Sequence, residues 1–294
     1  MATAIIINPI SGGVRPDVAR RRVEMASAML DEQGDAVDVF LTEHKGHARE
    51  LASLALQRGA RLVLAWGGDG TINEVASALA FQEVPLGIVP AGSGNGLARE
   101  LGVSLKPEQA IAQALRATPR VMDVGEIGGR LFVNIAGIGF DAYVATRFDR
   151  LGAGQRGLAG YVRIGVGAIR SYVPERYVIT IGRDRIETRA LIVTIANSPQ
   201  FGNGARIAPA ARVDDGRLDL VVVEERSRLM SVLQLPRLFT GHADRIPGCS
   251  IRQIEQARVE CEQPMTFHVD GEPVVGGRTL EVRVHPQALR VAVT

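Results

Sequence analysis

The 294 residues include 34 basic and 32 acidic side chains, for a formal net charge of +2, with 46% hydrophobic and 4% aromatic residues and 33 glycines. This composition excludes long disorder and a fibrous chain, and the length favours two domains of ordinary size over one large core. Lys45 and Lys106 are the only lysines, so the basic side is almost all arginine, whose planar fork of donors suits phosphate.

From Ala4 to Ile7 an apolar, β-branched run meets Asn8-Pro9-Ile10-Ser11-Gly12-Gly13, the pattern of a strand ending in a glycine-rich turn. Val18, Val23, Met25, Ala26, Met29 and Leu30 then recur near helical spacing, and Gly34 marks the stop. Strands are expected at Ala36 to Leu41, Arg61 to Trp66 and Leu86 to Val89, with helices at His47 to Gln57 and Thr71 to Ala80. This alternation implies an α/β domain with a parallel sheet and ligands at the carboxyl ends of its strands. After Asp123 the rhythm changes. Arg130 to Ala136, Tyr177 to Ile181, Ala190 to Ala196, Arg217 to Val223, Arg258 to Glu262, Met265 to Asp270 and Thr279 to Val284 read as strands, and Tyr143 to Tyr172 and Ser227 to Thr240 as helices. The expectation is an α/β nucleotide-binding domain over 1–123 and a β-rich, sandwich-like domain over 124–284. The last strand, within 285–294, is a candidate to return to the first domain.

Two stretches carry chemistry. Trp66-Gly67-Gly68-Asp69-Gly70-Thr71-Ile72-Asn73-Glu74 and Pro90-Ala91-Gly92-Ser93-Gly94-Asn95-Gly96-Leu97-Ala98 each lie between an expected strand and a helix. Glycines admit an anion close to the backbone, and a helix start offers free N–H groups and a favourable dipole. Asn8 to Gly13 adds a third loop, and Thr42 a hydroxyl on the same sheet edge. A carboxylate beside phosphates points to an intervening cation, which assigns Asp69 to Mg²⁺, directly or through water. The alternative is a tight turn with Asp69 as a simple cap. Neither common nucleotide fingerprint fits, because no Gly-Lys-Ser/Thr and no spaced dinucleotide pattern is present.

Together with Asn134 to Asp141, Asp214-Asp215-Gly216-Arg217-Leu218-Asp219 and Val269-Asp270-Gly271-Glu272, these loops resemble the diacylglycerol kinase and sphingosine kinase superfamily over nearly the whole chain, in its bacterial soluble lipid kinase form. The resemblance implies ATP and Mg²⁺ as cofactors and a lipid hydroxyl as acceptor. It implies that Gly67, Gly68, Asp69, Gly70, Thr71 and Asn73 bind ATP phosphates, with Asn8, Thr42, Gly92, Ser93 and Asn95 completing the nucleotide site. It places Asp270 at the acceptor hydroxyl beside Glu272, either being the base, with Asp69 as the third catalytic carboxylate. It gives a structural Mg²⁺ to Asp215 and the carbonyls of Arg212 and Arg217, and the polar head of the acceptor to Asp141. Asn95-Gly96 departs from the Asn-Asp of many bacterial diacylglycerol kinases and is closer to sphingosine kinases, so the acceptor is diacylglycerol or a sphingoid base or ceramide-like lipid.

The resulting expectation is an ATP-dependent lipid kinase with nucleotide between the two domains and lipid entering from the second. An NAD kinase, which shares the Gly-Gly-Asp-Gly-Thr turn, and an inactive nucleotide- or lipid-binding regulator are the alternatives. Six arginines against Asp149 and Glu175 between Ala142 and Arg176 suit either an anionic membrane surface or a solvated helix face. The absence of a leader pattern and of any long apolar run leads to the expectation of a cytoplasmic, peripherally membrane-associated protein. A second copy of the chain is a further candidate partner, whereas nucleic acid is not expected, since aromatics do not interleave the basic residues. His44 and His47 read as surface residues, and Cys249 and Cys261 as inert thiols.

Overall fold

In the computed structural model, strand β1 (Thr3–Ile7) is buried along its whole length, as a strand covered on both faces of a parallel sheet must be. It lies between β2 (Val37–Leu41) and β3 (Leu62–Gly67), and β3 pairs in parallel with β4 (Leu86–Pro90). The described residues are 2–13, 16–31, 37–149, 163–165, 167–168, 171–226, 237 and 241–293. Helices α1 (Pro16–Asp31), α2 (His47–Gln57), α3 (Asp69–Leu79), α4 (Gly96–Glu100) and α5 (Pro107–Arg116) connect these strands or follow them. Helix α2 packs on α3 and buries Ala48, Ala52 and Ala55, spaced four and three apart so that they share one face. This compact unit comprises Met1–Met122 and Gln287–Thr294.

The second unit, Asp123–Pro286, is built from antiparallel pairs. After β5 (Arg120–Ile127) come β6 (Arg130–Phe132), β7 (Ile135–Gly139), α6 (Phe140–Asp149), β8 (Glu175–Ile181), β9 (Asp184–Ala196), β10 (Leu218–Glu224), β11 (Cys249–Ile254), β12 (Gln256–Cys261), β13 (Thr266–Val269), β14 (Glu272–Val275) and β15 (Thr279–Val291). The pairing order runs β14-β13-β7-β9-β8-β12-β15, with β10 also on β9 and β11 on β10. Leu220 and Val222 of β10 join one apolar cluster with Phe132, Ile179, Val193, Val259 and Phe267, while Val221 and Val223 join another with Ile135, Ile207 and Ala208. Successive residues of a strand point to opposite faces, so β10 is buried on both. Strand β15 ends on the first unit's sheet, where Val291 pairs with Leu86 of β4.

The fold class is therefore α/β followed by a β-rich, sandwich-like part. Arg130 to Ala136, expected as one strand, is split into β6 and β7, because the backbone at Val133 and Asn134 turns its N–H groups to a side chain instead of a ladder. The helix expected over Tyr143 to Tyr172 ends, as described, at Asp149, and much of its remainder lies outside the described residues. So does nearly all of the Ser227 to Thr240 helix.

Candidate active site

In the first unit, three strand-to-helix turns are tied to one another by specific bonds. Asn8, after β1, donates its side-chain amide to the Thr71 hydroxyl in α3 at 2.9 Å. The Asp69 carboxylate accepts from the backbone N–H of Asn95 at 2.9 Å and of Gly96 at 2.8 Å. Asn95 closes its own loop, accepting from Gly92 N–H and donating to the Gly92 carbonyl, both at 2.8 Å. The loops approach so closely that a Cβ on Gly92 would lie 2.7 Å from Gly68 Cα, a distance real Cβ atoms do not tolerate. Arg22 of α1 completes the frame, donating to the carbonyls of Asn8 and Ser11 at 2.7 and 2.8 Å. Its guanidinium also lies 5.6 Å from the Trp66 ring centre, and burial lowers its pKa.

This geometry redirects one expectation. Asp69 was assigned to Mg²⁺, yet both its oxygens accept backbone N–H bonds from the 95–96 turn, where orphan donors at a helix start need an anionic acceptor. Direct coordination of a cation by Asp69 does not fit this arrangement. Thr42 is half-buried at the end of β2 and bonded through its N–H to Ile7, and Ser93 is exposed. Gly67, Gly68 and Gly70 form the turn into α3, with Thr71 and Asn73 buried in its first turns.

In the second unit, Val269 and Glu272 close a β13–β14 hairpin whose two central residues, Asp270 at φ 48 and Gly271 at φ 87, occupy the left-handed region that tight hairpins require. The conformation is costly for aspartate. It is offset by three bonds to the buried Asp270 carboxylate, from the N–H groups of Val133, Asn134 and Ile135, each at 2.9 Å. Glu272 follows the turn, half-buried. Asp141, in the first turn of α6, is buried, accepting from its neighbour Ala142 N–H at 2.8 Å and from the Thr194 hydroxyl at 3.1 Å. The two units thus carry separate constellations, one of glycine turns and one of carboxylates.

Residues 2–127 match the diacylglycerol kinase catalytic domain family, and residues 134–293 match the YegS C-terminal NAD kinase beta sandwich-like domain. A protein of Pseudomonas aeruginosa PAO1 named "Probable lipid kinase YegS-like" is 33% identical over 92% of this chain and 88% of its own length. The chain belongs to the YegS-like lipid kinase family. A Chromohalobacter salexigens member is 30% identical over 85% of this chain and 82% of its own. A structure described as a diacylglycerol kinase of Bacillus anthracis str. Sterne shares the fold at a TM-score of 0.73 and 18% identity, covering 99% of this chain and 96% of that one.

The YegS-like kinase holds further residues that its sequence did not single out. Asp123, fully buried, accepts from Gly216 N–H at 2.7 Å and so anchors the Asp214 to Gly216 turn. In that turn Asp215 accepts from Arg217 N–H at 3.1 Å and from the Gln253 amide at 3.2 Å, while the Arg212 guanidinium pairs with Asp214. Burial first, and then the charge of Asp215, push the Asp219 carboxyl up to about 6. Two carboxylates that disfavour each other's ionisation, beside backbone oxygens, form a hard-oxygen donor set that fits a Mg²⁺ ion. Glu74 of α3 accepts from Gly46 and Ala48 N–H and caps α2. His44 and His47 stack at 4.6 Å near Glu50, but His47 Nδ1 accepts from Glu43 N–H, which occupies that nitrogen. His268 and Thr194, both buried, surround Asp141. The signal for His268 lay in its place two residues before Asp270; Thr194 had none.

Proposed function

We propose that this YegS-like kinase transfers the γ-phosphoryl group of ATP to the hydroxyl of a lipid, diacylglycerol or a sphingoid base or ceramide-like lipid, at a cytoplasmic membrane surface. The observation that carries the reading is the mutual bracing of three strand-to-helix turns by Asn8, Asp69 and Asn95. A rigid cradle of backbone N–H groups is what phosphates require, and phosphoryl transfer asks for positioning and charge stabilisation above all else.

In this reading Gly67 to Thr71 and Asn73 hold the phosphates, with Thr42, Gly92 and Ser93 as further nucleotide contacts and Asp69 keeping the two glycine turns in register. Mg²⁺ accompanying the nucleotide neutralises phosphate charge, and a second, structural ion belongs to Asp215 with the carbonyls of Arg212 and Arg217. Glu272 accepts the proton of the attacking hydroxyl. Asp270, whose carboxylate already receives three backbone bonds, fixes the turn that presents Glu272. Asp141, similarly engaged, shapes the acceptor side.

The test offers purified protein, labelled ATP and Mg²⁺ with diacylglycerol, a sphingoid base, ceramide or NAD. Label on a lipid, lost in Glu272→Gln, supports the proposal. Label on NAD alone favours an NAD kinase, and no transfer to any of the four favours a binding protein.

A further inference from the structure

Gly137 of β7 stands opposite His268 of β13 on one side and Thr194 of β9 on the other. The three form a row across the sheet with a gap at the centre where a side chain would be. Asp141, from the first turn of α6, reaches into that gap: a Cβ on Gly137 would lie 1.9 Å from Asp141 Oδ2 and 2.8 Å from His268 Nε2. Thr194 donates to Oδ2 from one side, and His268 Nε2 lies 3.5 Å from the same oxygen on the other. The histidine is 3% exposed, which removes water as a competing partner.

The other ring nitrogen settles the tautomer. His268 Nδ1 is 3.3 Å from Gly271 N–H, and a backbone N–H can only donate, so Nδ1 accepts and the ring proton resides on Nε2, facing the Asp141 carboxylate. The imidazole therefore joins the Asp141 carboxylate to the peptide between Asp270 and Glu272. Asp270 fixes one side of that turn through the 133–135 backbone, and His268 fixes the other.

We propose that His268 is a positioning residue for phosphoryl transfer: its Nδ1 holds the Gly271 peptide, and through it the orientation of Glu272, while Asp141 keeps the ring in the accepting tautomer. The inference rests on the reading of the Asp270 to Glu272 turn as the acceptor side. A shift of the turn of about 1 Å is enough to lower transfer by one to two orders of magnitude.

Three substitutions in the full chain separate the two nitrogens. In His268→Asn the Oδ1 atom replaces the Nδ1 acceptor, in His268→Gln the side-chain amide replaces only the Nε2 donor, and His268→Leu removes both. With labelled ATP, Mg²⁺ and whichever of diacylglycerol or a sphingoid base the unsubstituted protein phosphorylates, the Gln and Leu variants should lose about tenfold or more in kcat. His268→Asn should stay within about threefold, and KM for ATP should change by less than about twofold in all three. Amide exchange at Gly271 should quicken in the Gln variant and not in the Asn variant, at similar melting temperatures. If the Leu variant does not fold, the Asn and Gln pair still decides the question. Equal kcat in the Asn and Gln variants, or losses that follow melting temperature, overturn the inference. Undiminished transfer in both Asp270→Asn and Glu272→Gln overturns the reading of the turn, and the inference with it. Loss in those two with full kcat in every His268 variant overturns the inference alone.

Discussion

Asp69 shows how far a residue's task depends on its neighbours. A carboxylate with two backbone N–H donors keeps both bonds only while both its oxygens accept, and an amide in its place turns an N–H₂ group toward one of those donors. Asp69→Asn is therefore expected to loosen the 92–96 turn and lower kcat/KM for ATP by about tenfold or more, about 1.4 kcal/mol of transition-state binding, measured by steady-state kinetics. Trp66, the chain's only tryptophan and buried immediately before the glycine turn, supplies a reporter. Adding ADP should shift its emission, and Asp69→Asn should move the titration to higher ADP concentration. Gly137→Ala places a methyl on Asp141, and overpacking of this kind costs about 1–3 kcal/mol, to be read by denaturant titration. Asp270 and Glu272 were recognisable from their motif. His268 was not, because its significance arises from Asp141, far away in sequence, and from a hole that only glycine leaves in β7.

At the scale of elements, α2 has no side-chain cap of its own: Gly46 begins it in a left-handed conformation, and Glu74 from α3 reaches across to the Gly46 and Ala48 N–H groups. Glu74→Ala should cost about 1 kcal/mol, as loss of a helix cap does, seen as a lower denaturation midpoint with unchanged slope. His47 to Gln57, with its helical spacing, was legible to the residue, and so were the apolar strands β1, β3 and β4 within a residue or two. Less visible were β5, where Asp123, Gly125 and Glu126 interrupt the apolar pattern, and β14, four residues that include Pro273. Proline is tolerated in β14 because that strand is last in the pairing order and bonds to β13 alone among the described strands. Asp123 is fully buried within β5 because it holds a turn at Gly216, a reason that no local pattern contains.

At the scale of the molecule, the arginine bias resolves into surface pairs. Arg20 with Glu24, Arg176 with Glu187, Arg189 with Glu225 and Arg258 with Glu281 are each about half exposed or more on the arginine side, and such pairs contribute little individually. Arg22 is different, since it binds carbonyls of the 8–11 turn and braces that loop. Glu126 sits between Arg283 and His285, and its pKa is lowered, chiefly by the Arg283 bond, with burial opposing. A depressed carboxyl stabilises the fold above the unfolded carboxylate pKa of about 4.3, and that stability is lost as pH falls through the lower folded value. Glu126→Gln should thus lower the melting temperature at pH 7, with the difference closing below roughly pH 4. Burial also pushes the Cys249 thiol up to about 11, so slow reaction with a thiol reagent at pH 8 is expected. Among the described residues no helix is long and apolar enough to cross a membrane.

By itself the sequence determined the α/β-then-β architecture, the glycine turns and the family, since periodicity, turn chemistry and motif order are local properties written in consecutive residues. Tertiary structure alone decided what the charged groups do. Asp69 binds the 95–96 backbone, Asp270 the 133–135 backbone, and Asp141 shares a buried row with Thr194 and His268. Each of these tasks is set by donors brought together from distant segments, and a carboxylate's role follows from the donors it meets.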